Sequence, residues 1–83
     1  MINAGIFNGD MLIVDRSLDP ANGKIVIAAV NGELTVKRLS KTSAGIFLVA
    51  ENNHYPPIEL TESDHIQIWG VVTNTIHTLD AKY

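Results

Sequence analysis

The chain alternates short apolar runs with polar punctuation, and their spacing predicts strands rather than helices. "MLIVD" (11–15) is a β-rich run set between Asn8-Gly9-Asp10 and "SLDPANG", where Pro20 and Gly23 break regular structure. "KIVIAAV" (24–30) is almost continuously apolar, as suits a strand buried on both faces. Asn31-Gly32 follows at once and "ELTVKRL" resumes the run. An Asn-Gly pair between two strand-like runs supplies the two positive φ angles of a tight turn, so residues 24–39 are predicted as a β-hairpin.

After the polar link "KTSAG", "IFLVA" (46–50) reads as a further strand. "ENNHYPPIEL" carries Asn52-Asn53 and Pro56-Pro57 and reads as a loop entering a short edge strand. "HIQIWGVVTNTIHTL" (65–79) alternates: Ile66, Ile68, Gly70, Val72, Asn74 and Ile76 share one face, and Gln67, Trp69, Val71, Thr73 and Thr75 the other. Gly70 in mid-run marks a bulge or bend. The predicted class is all-β: one domain over 1–83, a small folded or partly closed sheet of about five to seven strands.

Charge and composition narrow the chemistry. Nine carboxylates against six cations leave a net charge of −3. Only Lys37, Arg38 and Lys41 approach a basic cluster, too little for a phosphate-gripping face, so direct nucleic-acid binding is not expected. The chain has no cysteine, which removes disulfides, thiolate catalysis and sulfur-built zinc sites and fits a reducing, cytoplasmic setting. No apolar run nears the roughly 18 residues of a membrane span, and no basic segment precedes an apolar one as in a signal peptide. His54, His65 and His77 lie in separate segments without ligand spacing, so no metal is expected. No glycine-rich loop opens a helix, so no phosphate-bearing cofactor is expected either. Asp10 and Asp15 bracket the first strand, where aspartates cap local backbone donors.

Lys37 is the residue on which pattern and resemblance diverge. Alternation puts Leu34, Val36 and Arg38 on one face of its strand and Glu33, Thr35, Lys37 and Leu39 on the other. The second set is the more polar, and the pattern alone makes Lys37 a solvated lysine.

The blocks "AGIFNGDMLIVD", "NGKIVIAAVNGELTVKRL", "ENNHYPPIEL" and "IWGVVTNTI" stand in an order and spacing that resembles the C-terminal peptidase-like domain of the LexA/UmuD family, from Met1 to about Leu79. Within that family "IVIAAVNGELTVKRL" and "GVVTNTI" are closer to the UmuD branch. The resemblance implies a serine–lysine mechanism in which the chain cuts itself upstream of the domain, with the lysine of "TVK", here Lys37, as general base. Such a dyad requires a neutral amine, because an ammonium cannot accept the hydroxyl proton, and burial favours the neutral form. Glu33, Thr35 and Leu39 share its strand face and are expected to line its pocket, with Met1 and Ile2 nearest the serine. That serine is expected immediately before Met1. Ser17, Ser40, Ser43 and Ser63 sit in or beside loops and do not replace it, and Ala4-Gly5 and Ala44-Gly45 follow the serine position and are not the scissile bond. The chain as it stands is therefore expected to be inactive, either because its reading frame starts upstream or because it is a relative kept for binding.

The partners implied are a second copy of the chain in a homodimer, the catalytic subunit of an error-prone translesion polymerase, and the recombinase filament that stimulates cleavage. The other branch of the family implies instead the dimerisation and self-cleavage domain of a LexA-like or phage-type repressor, with a helix-turn-helix upstream. A small all-β interaction domain without enzymatic ancestry would leave Lys37 on a solvated face with no pocket.

Overall fold

The computed structural model describes residues 4–7, 9–50, 56–60 and 66–79. They form six strands: β1 (Met11–Asp15), β2 (Ile25–Val30), β3 (Glu33–Thr42), β4 (Gly45–Val49), β5 (Ile58–Glu59) and β6 (Ile66–Ile76). All pairings are antiparallel, in one sheet of order β1-β6-β2-β3-β4-β5 that does not close on itself. Among the described residues no helix is long and apolar enough to cross a membrane.

The hairpin predicted over 24–39 forms as β2 and β3, joined by Asn31 (φ 51°) and Gly32 (φ 85°). Positive φ at both central residues makes the turn's twist match that of the strands, and asparagine and glycine tolerate it best. The segment between β1 and β2 then fastens to the far end of β3. Leu39 N donates to Lys24 O, and Gly23 N to Leu39 O, both at 2.8 Å. The Arg38 guanidinium donates to Gly23 O at 2.6 Å, and Lys41 Nζ to Pro20 O at 3.1 Å. Two of the three clustered cations thus serve backbone carbonyls of a neighbouring loop.

β6 runs between β1 and β2, and its alternation is interrupted twice. Against β2 the register steps from Ile27↔Gly70 to Ala28↔Ile68, leaving Trp69 as the extra residue. Against β1 it steps from Ile13↔Asn74 to Val14↔Val72, leaving Thr73 extra. An inserted residue reverses which face the following residues present. Val71 therefore joins the face of Ile66 and Ile68, whereas uninterrupted alternation assigns it to the other. It stands beside Val26 and is 2% exposed.

The core is the cluster Val26, Ala28, Leu39, Leu48 and Val71, with Val30, Ile58, Leu60, Ile66 and Ile68 packed around it. Fully burying an aliphatic side chain of this size is worth about 1.5–3 kcal/mol. Central β2 contributes Val26 and Ala28 to this face and Ile27, also buried, to the other, as its continuous apolar run requires. Gly70 is buried on the second face, where an added Cβ would lie 2.5 Å from Val14 Cγ1. Beside it the Arg16 guanidinium stacks 4.5 Å from the Trp69 ring centre and donates through Nε to Trp69 O.

Candidate active site

The register of the hairpin settles the face of Lys37. Opposite residues of an antiparallel pair point to the same side of the sheet. Lys37 is opposite Val26, Thr35 opposite Ala28, and Glu33 opposite Val30. Val26 and Ala28 are fully buried, so the Glu33–Thr35–Lys37 row lies on the core face. The strand pattern taken alone made this the solvated face. That reading is corrected because polarity within β3 does not record what β2 places across from it. Lys37 is half-buried, and its Nζ donates to Thr35 Oγ1 at 2.8 Å.

A groove of about 510 Å³ opens over this row. Glu33, Thr35 and Lys37 form its polar wall and Val30, Pro56 and Ile58 its apolar wall, with Asn31 of the hairpin turn also lining it. Leu39 continues the same alternation but is 1% exposed within the core cluster, beyond the groove. Met1 and Ile2 lie outside the described residues, as do Ser63, His54 and His65. Ser17 donates its hydroxyl to Asp15 Oδ1 at 2.6 Å, in the turn after β1. Ser40 is opposite Phe47 and, three residues from Lys37, lies on the other face.

Chemically, the groove offers an amine held by a hydroxyl, a carboxylate on the same polar wall, and an apolar wall. A hydrogen bond from Nζ to the Thr35 hydroxyl oxygen confines the position of the lysine nitrogen, and position is the first requirement of a proton-transfer group. Among the described residues no group of three or more histidine, cysteine or carboxylate side chains stands close enough to hold a metal ion.

A second constellation was not legible in the sequence. The Asp10 carboxylate accepts from Phe7 N at 2.9 Å and from Thr75 Oγ1 at 3.1 Å, and pairs through Oδ1 with His77 Nδ1 at 2.6 Å. The Asp10 side chain is 1% exposed, the His77 side chain 48%. The hydrogen bond from Phe7 N, followed by that from His77, holds the Asp10 carboxyl below its usual range. Local capping by Asp10 was expected from its place in a turn. The partners on β6 and beyond, 65 and 67 residues away, carry no local signal. Asp15 is likewise held low, first by the Ser17 hydroxyl and then by the Ser17 amide.

Comparison with known proteins gives one family and a consistent set of relatives. The family described as peptidase S24-like matches residues 1–73. The LexA repressor of Aliivibrio salmonicida is 38% identical over 79 residues, covering 94% of this chain and 38% of the relative. The LexA repressor of Haemophilus influenzae strain PittGG is 42% identical over 78 residues, covering 92% and 38%. That of Bordetella pertussis is 38% identical over 78 residues, covering 94% and 36%. The chain thus spans less than two-fifths of the length of these relatives.

Proposed function

The chain belongs to the peptidase S24-like family, and from that premise we propose that it is the self-cleaving, dimer-forming domain of a LexA-like repressor. The observation that carries this reading is the half-buried Lys37, fixed on Thr35 along one wall of the groove. Three LexA repressors at 38–42% identity over nearly the whole chain support this branch of the family.

In the reaction so assigned, the free amine of Lys37 takes the proton of a serine standing just before Met1. The serine oxygen attacks the carbonyl carbon of an Ala-Gly or Cys-Gly bond upstream in the same chain. The carbon–nitrogen bond breaks, the lysine ammonium returns the proton to the departing amine, and water hydrolyses the ester. Thr35 is a positioning residue for the amine, and the apolar wall of Val30, Pro56 and Ile58 receives the side chains of the extended segment being cut. A recombinase filament as stimulus, and a helix-turn-helix upstream as DNA reader, belong to the same proposal. Dimerisation has a physical basis in the sheet edges, unpaired among the described residues: β1 presents Met11 and Ile13, 65% and 47% exposed.

The test uses the protein extended upstream through the serine position and its arm. It is expected to cut itself faster as pH rises, and Lys37→Ala is expected to abolish cutting, followed by mass spectrometry. Equal cleavage with alanine at 37 would remove Lys37 from the mechanism. A second reading, a UmuD-like dimeric accessory subunit of a translesion polymerase, is favoured by the blocks "IVIAAVNGELTVKRL" and "GVVTNTI". The coding sequence upstream decides between them: a helix-turn-helix supports the repressor, a short arm the polymerase subunit.

A further inference from the structure

On the self-cleavage reading, the segment before β1 carries the nucleophile towards the groove, so what anchors that segment matters. Among the described residues, Asp10 makes every hydrogen bond that joins residues 4–10 to another part of the fold. The carboxylate does this from a nearly inaccessible position. It accepts from Phe7 N on its own turn, while Asp10 N donates back to Phe7 O at 3.0 Å. Through its other contacts it grips Thr75 of β6 and, just beyond that strand, His77. The Phe7 and His77 rings are stacked at a tilt, with centres 5.2 Å apart, over the same junction.

We propose that Asp10 and His77 form a clamp that fixes the path of the segment before β1 against the end of β6, and thereby positions the nucleophile for Lys37. The positioning role rests on the self-cleavage reading above; the clamp itself does not. His77 supplies a directed Nδ1 hydrogen to Oδ1 and an aromatic surface to Phe7, so an aspartate turn that would otherwise close only on itself becomes part of the sheet. Neither residue touches the reacting atoms. Their contribution is geometric, and displacement of a reacting group by about 1 Å costs on the order of a hundredfold in rate.

Two arms test this separately. In the 83-residue chain, Asp10→Ala and His77→Ala are expected to speed amide hydrogen exchange at Phe7 at least tenfold while the amides of β2 keep theirs. His77→Asn places an amide nitrogen where Nδ1 stood and is expected to restore protection. Unchanged exchange at Phe7 in both alanine variants overturns the clamp. In the upstream-extended protein the alanine variants are expected to self-cleave about 10- to 100-fold more slowly. Their pH–rate profile should keep its shape, since proton transfer still belongs to Lys37, and His77→Asn should recover most of the rate. Wild-type rates in both alanine variants overturn the positioning role with the clamp left standing. An extended wild type that does not cleave overturns the self-cleavage reading and the role with it.

Discussion

Gly70→Ala is the substitution whose cost the structure defines most closely. Alanine is ordinarily the less costly residue inside a strand, since glycine gives up more backbone freedom on folding, by about 0.5–1 kcal/mol. Here the added Cβ would sit 2.5 Å from Val14 Cγ1 and 3.2 Å from Arg16 Cγ. Ordinary carbon–carbon contact begins near 3.5 Å, so the first approach is short by about 1 Å. Val14 cannot swing aside freely, because branching at Cβ restricts its χ1. It is also paired through Val72 to the strand that carries Gly70. Relief must come from separating β1 from β6 beside the Thr73 bulge, and overpacking of this kind costs about 1–3 kcal/mol. Net of the entropic gain, Gly70→Ala is expected to destabilise by about 0.5–2 kcal/mol. For a domain of this length that lowers the thermal midpoint by roughly 2–16 °C. Circular dichroism melts at fixed protein concentration measure it. Val14→Ala in the same chain removes the colliding methyl, so the double variant should lose less than the sum of the two single losses. A Gly70→Ala protein as stable as the parent, or strictly additive losses, would refute the steric argument.

Leu39→Ala should cost about 2–5 kcal/mol by urea denaturation, because Leu39 is wholly buried against Leu48 and cannot be replaced by water. The acid limb of stability should depend on Asp10 and Asp15. Both folded carboxyls titrate below their ordinary 3.8, so their stabilisation is complete above that value and is lost as pH falls through the folded values. Melts between pH 6 and pH 2.5 should show this decline, and Asp10→Asn should flatten it. Thr35→Val keeps the shape of the side chain but removes the acceptor of Lys37 Nζ. It should slow self-cleavage of the upstream-extended protein about 10- to 100-fold without changing the thermal midpoint by more than a few degrees.

Different parts of the fold were legible to different degrees. The β2–β3 hairpin was readable because Asn31-Gly32 encodes its own turn and fixes the register of everything beside it. β1 and β4 were readable as short apolar runs between breakers. The face of Lys37 was not, because alternation within one strand names two faces without saying which is covered. That information sits in Val26 and Ala28 of the neighbouring strand. The place of Val71 was misread for a related reason: Gly70 announced an irregularity, but only the pairing with β2 shows the extra residue to be Trp69. Asp10 looked like a local cap and is one. Its bond to His77 crosses 67 residues, and nothing near either end encodes it. The groove combines both cases: its polar wall is readable from "ELTVK", while its apolar wall joins Val30 of β2 to Pro56 and Ile58, brought there by the pairing of β5 with β4.

The strand order also sets an order of assembly during synthesis. β2, β3, β4 and β5 pair only with their sequence neighbours on that side of the sheet, so that meander can form as it leaves the ribosome. β1 emerges first, yet its one neighbour is β6, and Met11 meets Ile76. Until residue 76 has been translated, β1 is an unpaired strand carrying exposed Met11 and Ile13, and the loop that must close around it is nearly the length of the domain. Of the six described strands, the last made is the one that joins the first to the rest. The segment before β1 thus gains a fixed position only once the other described strands are in place.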